Sequence, residues 1–198
     1  MRKKSHIFLA RYIVETVGDE NLKKHKLSFY LGSILPDIKP SFLYRRHEME
    51  GTYPDIKRHI KRLSEGNKLI LRKKTGSKYY MDLGQISHYL ADYFTFPHNK
   101  IYTGNLKEHC SYEKKLRDDL MTYVSENKPM LQEIINQKFE NSDILCEFIQ
   151  RMHDDYLKEQ HDVKHDILHI IEVNQCAMYA MLYLLNSHRM ACRRARFA

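Results

Sequence analysis

The stretch from Lys78 to Phe96 is apolar almost all round, with the break Thr75-Gly76-Ser77 before it and Pro97 after it. A helix with no polar face belongs at the centre of a domain. This one carries His88 and Asp92 at i, i+4 spacing, so both side chains point to one side, a turn apart. Burying an unpaired polar group costs ~1–3 kcal/mol and an unpaired charge more. The chain must therefore fold so that something compensates these two side chains inside it. A bound cation does so by taking the imidazole lone pair and the carboxylate together.

The remainder of the chain also reads as helix. Glycine and proline are scarce, 7 and 5 in 198 residues. Ser5 caps a first helix with Ile7, Phe8, Ile13 and Val14 on its apolar side, ending near Gly18. A second runs from about Asn21 to Leu35 and stops at Pro36. Residues 37–52 form an irregular connection, and Pro54 opens a third helix that runs to about Lys74. Further helices are expected near 105–126, 129–138, 141–158 and 161–188, ahead of a basic tail over 189–198. No alternating strand pattern with turn signals occurs. The class is all-α, a multi-helix bundle of one domain over 1–198.

Potential ligands continue beyond Asp92. His98 follows Pro97, and His109 and Glu113 repeat the i, i+4 spacing, so five His or carboxylate side chains fall within 26 residues. A lone histidine is more often a hydrogen-bonded core or surface residue, but this combination points to a metal, with zinc the first choice. A second histidine-rich stretch holds His153, His161, His165 and His169, with His-Asp pairs that invite a different phosphohydrolase reading. No earlier partner ligands stand in a matching order, and the stretch is read as a solvated polar helix face. Cys110, next to His109, points about 100° away on a helix and is not a ligand.

The formal charge is +8, with basic clusters at Arg2, Lys3 and Lys4 and at Arg189, Arg193, Arg194 and Arg196. This sign favours anionic partners. The four cysteines form no CxxC, so free thiols in a reducing compartment are expected. Arg11 interrupts the first apolar run, no small-residue cleavage site follows it, and no stretch of about 18 apolar residues is seen, so a cytoplasmic protein is expected.

The segment GQISHYLADYFTFPHNKIYTGNLKEHCSYEKKL resembles the zinc-dependent phospholipase C family, to which the single-strand-specific zinc nucleases are related. Upstream, His6 fits the family's first-helix histidine, LGSILPDI supplies Asp37, and RRHEMEGTYPDI supplies His47. The resemblance spans about residues 5–120. It implies a fold of the phospholipase C and zinc nuclease type holding two or three zinc ions. His47, His88 and Asp92 would hold one ion, His98, His109 and Glu113 a second. His6, with Asp92 as bridge and Asp37, would hold a third. Secreted members also use their processed N-terminal residue as a ligand; here five residues precede His6, which makes the third site the point of departure.

Such a cluster implies a phosphodiester hydrolase that uses a metal-activated water. Asp37 is the candidate catalytic residue, as general base or water-orienting group, and Arg45 and Arg46 beside His47 are candidates for holding phosphate. The implied partners are a phosphodiester small molecule or a phospholipid head group, with peripheral contact to an anionic membrane. A nuclease or nucleotide phosphodiesterase is the alternative enzyme, although no aromatic and basic stripe for stacking bases is evident. A metal-stabilised helical binding module is the non-enzymatic alternative; carboxylate-rich ligation argues against it.

Overall fold

The computed structural model describes residues 1–38, 48–66, 75–126 and 139–195. Among them are eight α-helices, one 3-10 turn and no strand. The helices are α1 (Lys3–Thr16), α2 (Glu20–Lys24), α3 (Lys26–Ile34), α4 (Met49–Glu65), α5 (Ser77–Tyr93), α6 (Leu106–Glu126), α7 (Ser142–Tyr156) and α8 (Val163–Arg194), with the 3-10 turn at Phe96–His98. The fold is all-α, as expected. The helix anticipated over 129–138 lies outside the described residues, as do His47, Arg45 and Arg46.

Several boundaries differ from expectation. Arg2, not Ser5, precedes α1, and Ser5 is buried inside it. The helix anticipated over 21–35 is two helices, because the chain turns at His25. Asp19 caps α2 by accepting from the Leu22 N–H at 2.7 Å, and the His25 ring stacks on Tyr80 with centroids 4.7 Å apart. Helix α4 starts one turn before Pro54 and ends at Gly66, whose φ of 71° suits glycine. Thr52 Oγ1, in the same first turn, donates to the Glu48 carbonyl at 2.7 Å. Helix α5 stops at Tyr93 rather than Phe96. The residue before a proline disfavours the α conformation, and the Asn99 amide donates to the Tyr93 and Thr95 carbonyls, both at 3.0 Å, closing the helix end. Helix α8 continues to Arg194, so much of the expected basic tail is helical.

Helix α5 sits centrally, with Tyr80, Leu83, Ile86, Leu90, Ala91 and Tyr93 buried. Helix α3 crosses it at very short range. A Cβ on Gly84 would stand 2.2 Å from the Phe29 carbonyl oxygen, and one on Gly32 would stand 2.0 Å from that of Met81. Only glycine at both positions lets the two backbones touch. This contact seats the end of α3, and with it Asp37, against the face of α5 that carries His88 and Asp92.

Helix α8 packs against α1, α4, α5, α6 and α7. It is long and apolar enough to cross a membrane by length and composition, contrary to the expectation that no such stretch exists, but 72% of its apolar window is buried inside the bundle. A buried Ser87–Asn174 hydrogen bond of 2.8 Å fixes it to α5.

Candidate metal centre

His88 and Asp92 are buried, as their helix requires. His88 Nδ1 lies 2.8 Å from the Ser33 carbonyl oxygen. That carbonyl only accepts, so Nδ1 carries the proton and Nε2 presents its lone pair. Nε2 faces Asp92 Oδ2 at 3.2 Å and Asp37 Oδ1 at 3.6 Å. One imidazole nitrogen facing two carboxylates is a place for a shared cation, a proton or a metal ion. His6, from α1, stacks on His88 with ring centroids 3.9 Å apart.

The other ligand set forms where the 3-10 turn meets α6. His98 Nε2 and His109 Nε2 lie 3.2 Å and 3.4 Å from the same oxygen, Glu113 Oε1. Asn105 sets the start of α6: its side chain accepts from the Lys107 and Glu108 N–H groups, while Glu108 accepts from the Asn105 N–H. This reciprocal cap places His109 and Glu113 one turn apart facing His98.

Asp92 joins the two sets. Its Oδ2 faces His88, while its Oδ1 lies 3.4 Å from His6 Nε2 and 3.7 Å from His98 Nδ1. Asp37 stands with His6 and His88, so it belongs to the first ligand group rather than apart from it. His98, His109 and Glu113 form the second group.

Sequence reasoning set aside the group that lies between the two sets, the Met1 nitrogen. It donates to Asp92 Oδ1 at 2.6 Å and lies 3.0 Å from His98 Nε2 and 3.3 Å from Glu113 Oε1. The short run before His6 leads into the first turn of α1 and brings the Met1 nitrogen to the cluster.

The electrostatics are those of a cation site. Burial would raise the Asp92 carboxyl, but the Met1 ammonium, His98, His88 and His6 hold it well below its usual range. Burial likewise opposes ionisation of Glu113, and hydrogen bonds from His109 and His98 override it, lowering its pKa. Burial, then His88, push His6 down to about 3, which leaves its imidazole neutral. Both of its ring nitrogens are buried without a hydrogen-bond partner among the described residues. An orphaned neutral imidazole beside a carboxylate is a ligand in waiting, and the N and O donor set suits zinc. The residues present therefore fit the metal.

A cavity of about 1120 Å³ opens over the cluster. Met1, Asp37, His98, His109 and Glu113 line its floor, and Arg2, Lys3, Lys4, Lys100 and Arg117 contribute positive charge to its wall. Beside it, Ile101 and Leu106 are 44% and 79% exposed.

The second histidine-rich stretch is not the solvated face that its sequence suggests. His161 precedes α8 and stacks on Phe96 (4.5 Å, 4°), His169 stacks on Phe94 (5.9 Å), and His153 is buried. Asp166, on the same stretch, is fully buried and accepts from the Phe96 N–H and from the Tyr112 and Tyr156 hydroxyls at 2.8–2.9 Å. Burial pushes the Asp166 carboxyl up to about 6 despite those donors. Asp162 bears on it as a like charge; Tyr112 and Tyr156 face it as neutral donors, and the His161 and His169 rings pack on Tyr156. A folded pKa above the unfolded value means that the folded state binds the extra proton, so this contribution is full below pH ~4 and lost as pH rises through about 6. Urea unfolding of the metal-free protein and its Asp166→Asn variant is expected to show the stability advantage of wild type shrinking by about 3 kcal/mol between pH 4 and 7. A pH-independent difference would mean that Asp166 titrates as an ordinary carboxylate.

The sequence model of the family described as zinc dependent phospholipase C matches residues 5–163. No curated protein and no solved structure matches the chain.

Proposed function

The chain belongs to the zinc-dependent phospholipase C family, and from that membership we propose that it hydrolyses a phosphodiester, a phospholipid or a smaller one, with water adding to phosphorus and the phosphorylated head group released from the diacylglycerol alcohol when the substrate is a phospholipid. The observation that carries the reading is the buried His88 Nε2, turned toward two carboxylates by a backbone carbonyl, with one of them, Asp37, lining a cationic cavity.

His88 with Asp92 and the His98, His109 and Glu113 group would provide for two ions, and His6 with Asp92 and Asp37 for a third. His47 completes the set in this reading. Bound zinc supplies a water of lowered pKa and positive charge for the phosphoryl oxygens. The chain's own residues do the rest. Ser33 fixes the His88 tautomer, and Asp37, which lines the cavity, accepts a proton from the attacking water or orients it. Arg2, Lys3 and Lys4 draw the anionic substrate in.

Exposed Ile101 and Leu106 next to Lys100 suit contact with the surface of an anionic membrane. The same charge suits a polynucleotide, but Tyr102 is the only aromatic side chain lining the cavity among the described residues, too few for a stacking path. The four cysteines form no disulfide, in keeping with a reducing, cytoplasmic setting.

The test is metal analysis of the purified protein followed by hydrolysis of a chromogenic phosphodiester and of phospholipid vesicles. We expect at least two zinc ions per chain, and faster cleavage in anionic than in zwitterionic vesicles. The Lys3→Glu/Lys4→Glu double variant should reduce kcat/KM on anionic vesicles about tenfold or more at low salt, with the difference narrowing as salt is added. A protein that takes up no divalent metal and cleaves neither substrate with added zinc would sink the proposal.

A further inference from the structure

Helices α7 and α8 contribute no side chain to either ligand group, yet they grip the turn that carries His98 from both sides. Before His98, the Phe96 N–H donates to Asp166 Oδ2 at 2.8 Å. After it, the Asn99 Oδ1 lies 3.0 Å from His153 Nε2, while the Asn99 amide closes the end of α5. Asp166 does more than hold the turn. The same Oδ2 takes the Tyr112 hydroxyl at 2.9 Å, and Tyr112 is the residue immediately before Glu113 on α6. One oxygen atom thus binds the turn that presents His98 and the helix that presents His109 and Glu113. Its partner oxygen, Oδ1, takes the Tyr156 hydroxyl at 2.8 Å, which ties the carboxylate to α7 instead.

We propose that Asp166 is a positioning residue for the His98–His109–Glu113 half of the metal centre, setting the distance between its two ligand-bearing elements. The proposal rests on the metal reading above. Asp166 lies beyond the segment that matches the family, which ends at residue 163. A purely structural carboxylate would stabilise the bundle without regard to which oxygen is engaged; here the two oxygens divide the work, one toward the ligands and one away. Outer partners of this kind typically alter metal affinity by 10–100-fold.

The division of labour gives the test. Metal-free protein is titrated with Co²⁺, reading the visible ligand-field absorption, and affinities are obtained by chelator competition. Tyr112→Phe removes a donor from Oδ2 and Tyr156→Phe one from Oδ1, each deleting one hydroxyl. We expect Tyr112→Phe to weaken one Co²⁺ site several-fold and alter its absorption, and Asp166→Asn to weaken the same site at least tenfold. The other site should keep wild-type affinity and spectrum. Tyr156→Phe should leave both sites unchanged even where it lowers the melting temperature. Equal effects of the two tyrosine variants, or wild-type affinities in both Tyr112→Phe and Asp166→Asn, would overturn the proposal while leaving the metal reading intact. Should Asp166→Asn fail to fold, the tyrosine pair decides alone. A wild-type protein that binds no Co²⁺ would overturn the proposal together with the reading beneath it.

Discussion

Asp92→Asn is expected to cost the protein its metal and its activity together. Asp92 is the only side chain among the described residues in contact with members of both ligand groups, through Oδ2 to His88 and through Oδ1 to His6 and His98. Asparagine keeps the shape but removes the charge that balances the cations. As a candidate ligand, Asp92 should count for more than the 10–100-fold in affinity typical of outer partners, so a loss of a hundredfold or more is expected, with at least one ion missing by metal analysis. The metal-free protein should suffer too. The Met1 ammonium is buried against Asp92 at 2.6 Å, and breaking a buried pair from one side costs about 3–5 kcal/mol. Metal content and urea unfolding of the variant check both parts. Retention of wild-type metal content would show that Asp92 is not the bridge.

Gly84→Ala is expected to be as damaging, although it touches no ligand. In an ordinary helix the change gains about 0.5–1 kcal/mol. Here the new Cβ would meet backbone at 2.2 Å from the Phe29 oxygen and 2.8 Å from the Ser33 nitrogen, and backbone cannot rotate away. Helix α3 must move off α5. Overpacking typically costs about 1–3 kcal/mol, and a backbone-to-backbone clash belongs at or above the top of that range. The displaced α3 carries Ser33, whose carbonyl orients His88, and leads directly to Asp37, so metal affinity should fall with stability. Gly51→Ala on α4 is the control: nothing lies within 4 Å of its Cβ, and a gain of about 0.5–1 kcal/mol is expected. Thermal melts of the two variants decide it; a stabilised Gly84→Ala would contradict the close crossing.

The candidate ligand pairs were legible as pairs because i, i+4 spacing survives translation into a helix unchanged. His88 with Asp92, and His109 with Glu113, needed only the helical period. The all-α class followed as directly from scarce glycine and proline and the lack of alternation. Other features depend on contacts between distant segments. Gly32 and Gly84 read as mildly unfavourable helix residues until α3 and α5 are seen to cross through them. The break at His25 has no proline or glycine to announce it. Asp166 looks like one more acid in a polar stretch, since nothing local says that Phe96 and Tyr112 will arrive at it. The grouping of Asp37 with His6 and His88 likewise waits on the α3–α5 crossing.

The candidate ligands come from residue 6 through to residue 113, on α1, the end of α3, α5, the 3-10 turn and α6. A cation held by them staples segments that are far apart along the chain. No such set exists until those elements have docked, so the ion engages only after most of the bundle is assembled. Stabilisation that arrives late in folding appears in the unfolding rate rather than the folding rate. The metal would then govern how long a folded molecule lasts, and hardly at all how quickly one forms.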